Sequence, residues 1–269
     1  MSEPLSSPVK LKELCDYLES IAPLHLQESY DNSGLIVGHP ETEVKAVLCC
    51  LDATEEVLRE AQSTGCNVVV AHHPIVFRGL KRFNGLHYVE RAVMFAIKHD
   101  IAIYAIHTNL DNILINGVNS QLAARLELMD TTILRPHEPG ADIGAGLIGL
   151  LKAPVLPIDF LRFVCMSFQI KTLRHTAILK EKWTKIALCG GSGSFLIQDA
   201  IDSGADLYIS ADIKYHEYFD ANGKVTIADI GHYESEFFTI EHLAGLISKK
   251  FRNFATHCTK MNTNPVQYL

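Results

Sequence analysis

Histidines and acidic residues are concentrated at the ends of apolar segments in this 269-residue chain. The segment "NVVVAHHPIVFRG" carries His72 and His73 side by side, directly before Pro74. Successive side chains of a strand point to opposite faces, so adjacent histidines in regular β structure face away from each other. We therefore expect Pro74 to end the strand pairing, and an irregular backbone to bring both imidazoles to one side.

Two further segments add candidate metal ligands. Asp111 follows an apolar strand in "HTNLD", and one helical turn in "GHYESE" places His232 and Glu236 on the same face. Together with the paired histidines they form a mixed nitrogen and oxygen donor set, which suits zinc, iron, manganese or a related divalent ion. These five ligands exceed the needs of one four-coordinate ion with an open position. The sequence therefore favours two neighbouring ions, with one carboxylate bridging them.

Each of these residues also has a simpler explanation. A strand-end histidine such as His72 is often only a hydrogen-bonded surface or core group. Asp111 can form a turn or cap a helix, and Glu236 can interact favourably with a helix dipole. The metal interpretation is stronger because all of them fall at the carboxyl ends of predicted strands, where open α/β sheets bind their ligands.

Two other features lie at the same strand ends. His107 and His216 are candidates for proton transfer, or for holding a metal ligand in place by a hydrogen bond. The turn Gly191-Ser192-Gly193 in "CGGSGS" lies between a predicted strand and a helix, where backbone N–H groups can bind an anion. A tight turn explains these glycines equally well, so a substrate-binding role is only one of two interpretations.

Strands and helices alternate in both halves of the chain. Continuous apolar strands between helices predict an α/β protein with two similar lobes, each a mostly parallel sheet covered by helices. The turn-rich segment "MDTTILRPHEPGADIGAG" places the boundary near residue 130. The predicted lobes are thus 1–130, with HHP and HTNLD, and 131–269, with GGSGS and GHYESE. In this arrangement the C-terminal helix of the second lobe can pack on the first lobe.

The composition excludes several classes of protein. A formal charge of −7 lacks the basic footprint of a nucleic-acid-binding protein. No apolar run approaches the roughly 20 residues that span a bilayer. The N-terminal "MSEPLSSPVK" lacks the features of a signal peptide, which predicts a cytoplasmic protein. The seven cysteines, without a C-x-x-C motif, indicate small buried side chains in a reducing compartment.

Six motifs in a fixed order provide a family resemblance: "YDNSGLIVG", "AHHPIVF", "HTNLD", "CGGSGS", "ADIKYHE" and "GHYESE". They resemble the signatures of the Nif-three-like family, whose members are often labelled GTP cyclohydrolase type 2 homologs. The resemblance implies two lobes facing a cleft with a dinuclear metal centre. By motif, His72 and His232 would hold one ion, His73 and Asp111 the other, and Glu236 would bridge. It also implies a ring-shaped homohexamer, built as a dimer of trimers.

Two functions are compatible with this site. The first is a metal-dependent hydrolase, in which two ions activate water against a nucleotide or another phosphoester-type small molecule. The alternative is a non-enzymatic protein that handles or delivers metal ions, or that regulates through interactions, with the same ligands. Open coordination positions favour hydrolysis or metal delivery over a purely structural site, because structural sites are normally closed.

Overall fold

The computed structural model describes residues 8–269, and the chain divides into two compact units. Unit 1 comprises Met1–Leu110 and Phe238–Pro265, and unit 2 comprises Asp111–Phe237 and Val266–Leu269. These bounds differ from the lobes 1–130 and 131–269 expected from the sequence. The difference arises because residues 111–130 pack with the strands of unit 2, whereas α9 (Thr239–Lys250) packs with the strands of unit 1.

The elements alternate along the chain. The strands are β1 (Gly34–Val37), β2 (Ala46–Asp52), β3 (Val68–His73), β4 (Ala102–Ala105), β5 (Met129–Pro136), β6 (Gly144–Val155), β7 (Arg174–His175), β8 (Trp183–Ser192), β9 (Leu207–Ala211), β10 (Thr226–Asp229) and β11 (Ala255–Cys258). The α-helices are α1 (Leu11–Ile21), α2 (Glu55–Ser63), α3 (Tyr88–Lys98), α4 (Thr108–Asp111), α5 (Val118–Arg125), α6 (Pro157–Ser167), α7 (Ile197–Asp202), α8 (His232–Glu236) and α9 (Thr239–Lys250). Short 3-10 helices span Leu24–Leu26, Ser194–Leu196 and Tyr215–Ala221. The α/β class predicted from the sequence is confirmed.

The sheet of unit 1 has the strand order β1-β4-β3-β2-β11. All neighbours are parallel except β1, which pairs antiparallel with β4 at one edge. The central strands β2, β3 and β4 are almost wholly buried because helices α2, α3 and α9 pack against them. Two-sided burial explains why these strands are continuously apolar rather than alternating in polarity.

The parallel strands of unit 1 bring polar residues to one edge of the sheet. Asp52 and His73, the last residues of β2 and β3, are paired in register. His107 follows two residues after the end of β4. Pro74 lies outside β3, as predicted, so the strand ends at His73. The carboxyl edge of this sheet therefore carries two histidines and an aspartate from three neighbouring strands.

The sheet of unit 2 has the strand order β5-β6-β8-β9-β10-β7. Strands β8, β9 and β10 are parallel, but β5 with β6, β6 with β8, and β10 with β7 are antiparallel. The expectation of a mostly parallel sheet is therefore wrong for this unit. The turn-rich residues 137–143 join β5 directly to β6 as a hairpin, and such a short connection can only produce antiparallel strands.

Across residues 8–269, no helix combines the length and the apolar character that crossing a membrane requires.

The packing of α9 on unit 1 predicts a selective loss of stability. Leu243 is completely buried on this helix, which contacts β2, β3 and β11. Leu243→Ala should lower the free energy of unfolding by about 2–5 kcal/mol, because it removes buried methyl groups and leaves a cavity. Ser248→Ala, at an exposed position of the same helix, should change it by less than about 0.5 kcal/mol. Urea unfolding followed by circular dichroism measures both, and equal effects would contradict this packing.

Candidate metal centre

Three histidines form a compact triangle in unit 1. The ring centroids of His72 and His73 are 5.0 Å apart, and each lies 5.3 Å from that of His107. Their ligand nitrogens lie within 4.8 Å of one another. His72 and His73 both belong to the regular strand β3, so an irregular backbone is not needed to bring the rings close. This spacing is compatible with shared coordination of a metal ion.

Each of these imidazoles is held through its Nδ1 atom. Each acceptor is either a backbone carbonyl or an ionised carboxylate, and neither group can donate a hydrogen bond. The Nδ1 atom therefore carries the proton of the neutral ring, and Nε2 keeps the lone pair that a metal ion needs. The pairs are His72 with Ile106 O, His73 with Asp52 Oδ1 and His107 with Asp31 Oδ1, all at 2.8 Å.

Asp31 accepts several hydrogen bonds in addition to the one from His107. Its side chain is inaccessible to solvent, and besides His107 it accepts hydrogen bonds from the backbone and hydroxyl of Thr108 and from Ser33 and Asn32. Burial acts to raise the pKa of this carboxyl group. The hydrogen bonds from His107, Thr108 and Asn32 outweigh burial and hold the pKa well below its usual range. Asp31 thus stays ionised and fixes both His107 and the start of α4.

His232 and Glu236 lie one helical turn apart in α8 of unit 2, as the sequence predicted. His232 Nε2 is 3.1 Å from Glu236 Oε2, and His232 Nδ1 is 2.8 Å from Asp212 Oδ2. Burial alone would lower the pKa of His232, but the carboxylates of Glu236 and Asp212 outweigh it and raise the pKa to about 11. The imidazolium therefore supplies positive charge between two carboxylates, a role that a metal cation can also fill.

A second carboxylate of unit 2 lies close to Glu236. Carboxylate oxygens of Asp111 and Glu236 are within 4.8 Å of each other, and Glu236 is only 2 % exposed. Burial, followed by the charges of Asp111 and Glu236, raises the pKa of the nearby Cys189 thiol. Two such carboxylates repel each other unless a cation or a proton lies between them. This part of unit 2 therefore attracts positive charge.

Gly191 is required by the close approach of these side chains. It has a φ of +60°, and a Cβ atom at this position would lie 2.4 Å from Glu236 Oε1 and 3.3 Å from His232 Cε1. Its N–H donates to Ser235 Oγ at 2.9 Å. The glycine thus leaves space for Glu236, and its N–H is engaged within the unit.

The remainder of the glycine-rich turn packs against its own sheet. A Cβ atom at Gly193 would lie 2.3 Å from Ser210 Oγ and 2.5 Å from Tyr208 Oη. Ser192 Oγ donates to Asp212 Oδ2 at 3.3 Å. These contacts explain the turn by packing and by the support of Asp212, and the anion-binding role of residues 191–193 stays a prediction.

The two histidines assigned to proton transfer lie in different surroundings. His107 belongs to the imidazole triangle, so the structure makes it a candidate metal ligand. His216 lies on the exposed 3-10 helix, with its ring 5.2 Å from Tyr215 and 6.4 Å from Phe219. Within residues 8–269 it belongs to none of the groups that could hold a metal ion. Its role in proton transfer stays a prediction.

Sequence reasoning assigned no individual role to the acids that orient the histidines. Asp52 ends β2, Asp212 directly follows β9, and Asp31 lies in the "YDNSG" segment before β1. Each accepts a hydrogen bond from the Nδ1 atom of a histidine. The available signal was their place next to strands that also carry histidines at or near their ends.

These features define an α/β protein with histidine and carboxylate groups suited to divalent metal ions. The chain belongs to the Duf34/NIF3 (NGG1p interacting factor 3) family, which matches residues 9–265, and the predicted family is thereby confirmed. It is 34 % identical over 230 residues to a GTP cyclohydrolase 1 type 2 homolog of Clostridium perfringens, covering 85 % of this chain and 87 % of that relative. A homolog with the same name from Lactococcus lactis is 33 % identical over 252 residues, covering 91 % and 93 %.

A solved structure shows the same fold. A Bacillus cereus protein related to NIF3 superposes with a TM-score of 0.91 at 25 % sequence identity, covering 98 % of this chain and all of that one (100 %).

The hydrogen bonds of Asp31 predict a pH-dependent loss of stability. Asp31→Asn places an amide donor opposite groups that also donate, and should lower the free energy of unfolding by about 2 kcal/mol at pH 7. Because the folded state lowers the pKa of Asp31, its contribution is complete above the unfolded value of about 3.9 and is lost as the pH falls further. The difference between the two proteins should therefore shrink below about pH 4.

Urea unfolding at several pH values measures this difference. Asp16→Asn, at an exposed position of α1 in the same unit, is the matched control and should change stability by less than about 0.5 kcal/mol. A difference for Asp31→Asn that is constant from pH 7 to pH 3 would contradict the ionised, buried carboxylate.

Proposed function

We propose that His72, His73, Asp111, His232 and Glu236 bind two divalent metal ions, and that the chain is a metal-dependent hydrolase. The proposed substrate is a nucleotide or another phosphoester-type small molecule. The observation that carries the proposal is the common orientation of the imidazoles, each held at Nδ1 by an oxygen acceptor, which leaves Nε2 as the ring atom that would face a metal ion. In His232 this atom lies 3.1 Å from Glu236 Oε2, and a bound ion would take the place of the proton between them. His107 is prepared in the same way and is a further candidate ligand.

The donor set fits zinc, iron or manganese. Imidazole nitrogen and carboxylate oxygen are common ligands of all three, and metal-binding histidines usually donate their other ring N–H to a carboxylate or a carbonyl. The buried carboxylate of Glu236 lies next to that of Asp111, and a bound cation would offset the negative charge of the pair. The number of ions follows from the count of ligands and from the family resemblance.

Bound divalent ions would supply Lewis acidity and would lower the pKa of coordinated water. The residues of the chain contribute orientation and charge. Asp52 and Asp212 hold the imidazoles of His73 and His232, while the complete burial of His72 keeps one ligand away from bulk water. Asp31 keeps the proton of a neutral His107 on Nδ1, which leaves Nε2 able to accept one.

The names of the relatives support the choice of a nucleotide, since they are called GTP cyclohydrolase 1 type 2 homologs. The alternative function is metal handling or delivery through the same ligands. The side chains of His73 and His232 are 19 % and 36 % exposed, so solvent reaches two of the three proposed imidazole ligands, which supports ion exchange. Assembly as a homohexamer, a dimer of trimers, is also part of the proposal and depends on the resemblance alone.

Metal content tests the proposed ligands. Glu236→Gln preserves shape but removes the charge that offsets two cations, so the variant should retain at most one ion of two per folded chain. Elemental analysis of gel-filtered protein measures this content. Glu241→Gln, on the exposed face of α9, should retain both ions. One ion or none in metal-loaded wild-type protein would contradict the dinuclear proposal, and two ions in Glu236→Gln would exclude Glu236 as the bridge.

Turnover separates the hydrolase from the delivery protein. Metal-quantified wild-type protein should hydrolyse GTP or an aryl phosphate at a rate proportional to its metal content, and Glu236→Gln should lose about a hundredfold or more of this rate. Release of phosphate or of a chromophore is the measurement. A fully loaded wild-type protein that hydrolyses none of a broad panel, yet passes its ions to a competing chelator, would favour metal delivery.

A further inference from the structure

Unit 1 contains a cavity of about 770 Å³ that includes His73 in its lining. This volume lies in the range of small-molecule sites, roughly 300–1,000 Å³. Part of the wall is apolar, with Pro74, Ile75, Leu80 and Val89. A mostly apolar cavity with a few polar groups is the usual form of a ligand site, and here one of these groups is a proposed metal ligand.

An exposed cation lines this cavity, although the chain as a whole carries −7. Arg78 lines it, is exposed, and makes no ion pair with any residue of the described part of the chain. Asp52 is the one acidic residue among the lining residues. Both of its oxygens already accept hydrogen bonds, one from His73 Nδ1 and the other from Thr263 Oγ1. The guanidinium thus supplies the positive charge of the cavity.

His87 provides a second donor. Its Nδ1 accepts a hydrogen bond from the backbone N–H of Val89 at 3.4 Å. The proton of the neutral ring therefore lies on Nε2, which can only donate in that tautomer. Arg78 and His87 are both exposed lining residues of the same cavity. Together they offer charged and neutral N–H groups to an oxyanion.

Two aromatic rings complete the lining. Phe77 is 45 % exposed and Tyr88 is 56 % exposed, although both are large and apolar. The Phe77 ring also lies 5.9 Å from the His107 ring, so it connects the cavity to the imidazole triangle. The Phe77 ring also stacks on Tyr30, with centroids 6.2 Å apart, and the Tyr88 ring lies 4.6 Å from that of His87. The exposed part of each ring is suited to a planar aromatic ligand, because stacking buries apolar area without requiring a specific hydrogen-bond pattern.

We propose that this cavity binds the substrate of the proposed metal centre, and that the substrate is a planar aromatic molecule with a phosphate or carboxylate group. Arg78 and His87 bind the oxyanion, and Phe77 and Tyr88 contact the ring. That the bound molecule is a substrate rests on the proposed function. The binding site itself depends only on residues of unit 1.

Phenylphosphonate is the probe, because it has an aromatic ring and an oxyanion but no ester bond to hydrolyse. Arg78→Gln should raise its Kd about tenfold or more, since a hydrogen bond to a charged group is lost. Arg82→Gln removes a neighbouring exposed cation that does not line the cavity, and should leave the Kd unchanged. Isothermal titration calorimetry on the full chain measures each value. Equal Kd values for the two variants would overturn the proposal.

A second variant tests the aromatic wall. Tyr88→Leu keeps an apolar side chain but removes the ring, so it should raise the Kd of phenylphosphonate about threefold to tenfold. The Kd of methylphosphonate, which has no ring, should stay the same. An equal change for both probes would contradict recognition of a planar ring. Benzoate in place of phenylphosphonate distinguishes a carboxylate from a phosphate as the preferred oxyanion.

The failure of this proposal can be distinguished from the failure of the proposed function. Wild-type protein that binds phenylphosphonate through Arg78 but hydrolyses nothing would support the cavity and contradict the hydrolase. Protein that hydrolyses an aryl phosphate with the same KM in wild type and Arg78→Gln would support the hydrolase and overturn the cavity. Under both proposals, Arg78→Gln raises the KM for the aryl phosphate while metal content stays unchanged.

Discussion

The hydrogen bond between His73 and Asp52 depends on the parallel register of β2 and β3. The two residues are paired at the ends of neighbouring strands, and the bond between Nδ1 and Oδ1 is 2.8 Å long. A shift of one residue in this register would turn one of the side chains to the other face of the sheet. The orientation of a proposed metal ligand is thus set by the backbone pairing of the sheet, and the cavity that includes both residues depends on the same pairing.

Unit 2 supports its ligands by electrostatics more than by strand register. Glu236 and Asp111 bring carboxylates close together in a buried region, and His232 offsets them with a pKa raised to about 11. Removal of the cation from such a group leaves the repulsion between the two carboxylates uncompensated, and Glu236 lies where even a Cβ atom at Gly191 would not fit. The charge balance of this region therefore depends on a proton or a metal ion.

The candidate metal ligands at the strand ends could be predicted from the sequence because their pattern is local. His72, His73 and Asp111 each follow an apolar run, and His232 with Glu236 follows the spacing of a helical turn. The antiparallel pairing of β6 with β8 and of β10 with β7 could not be predicted in the same way, since it joins segments that are distant in sequence, whereas the short β5–β6 connection was a local signal of a hairpin. The hydrogen bond from His107 to Asp31 could not be predicted either, because Asp31 lies 76 residues before the histidine that it orients.

The sheet of unit 1 contains segments from both ends of the chain. Strand β11 pairs in parallel with β2, so it belongs to the first sheet although it follows Asp111–Phe237, the main segment of unit 2, in sequence. During synthesis on the ribosome, residues 111–237 emerge as one continuous segment and are complete before β11 exists. Until residues 255–258 have been synthesised, the outer edge of β2 has no strand beside it and presents unpaired backbone groups of the kind that promote association between chains. The nascent chain thus passes through a stage in which the main segment of its second unit is complete and the sheet of its first unit still lacks an edge strand.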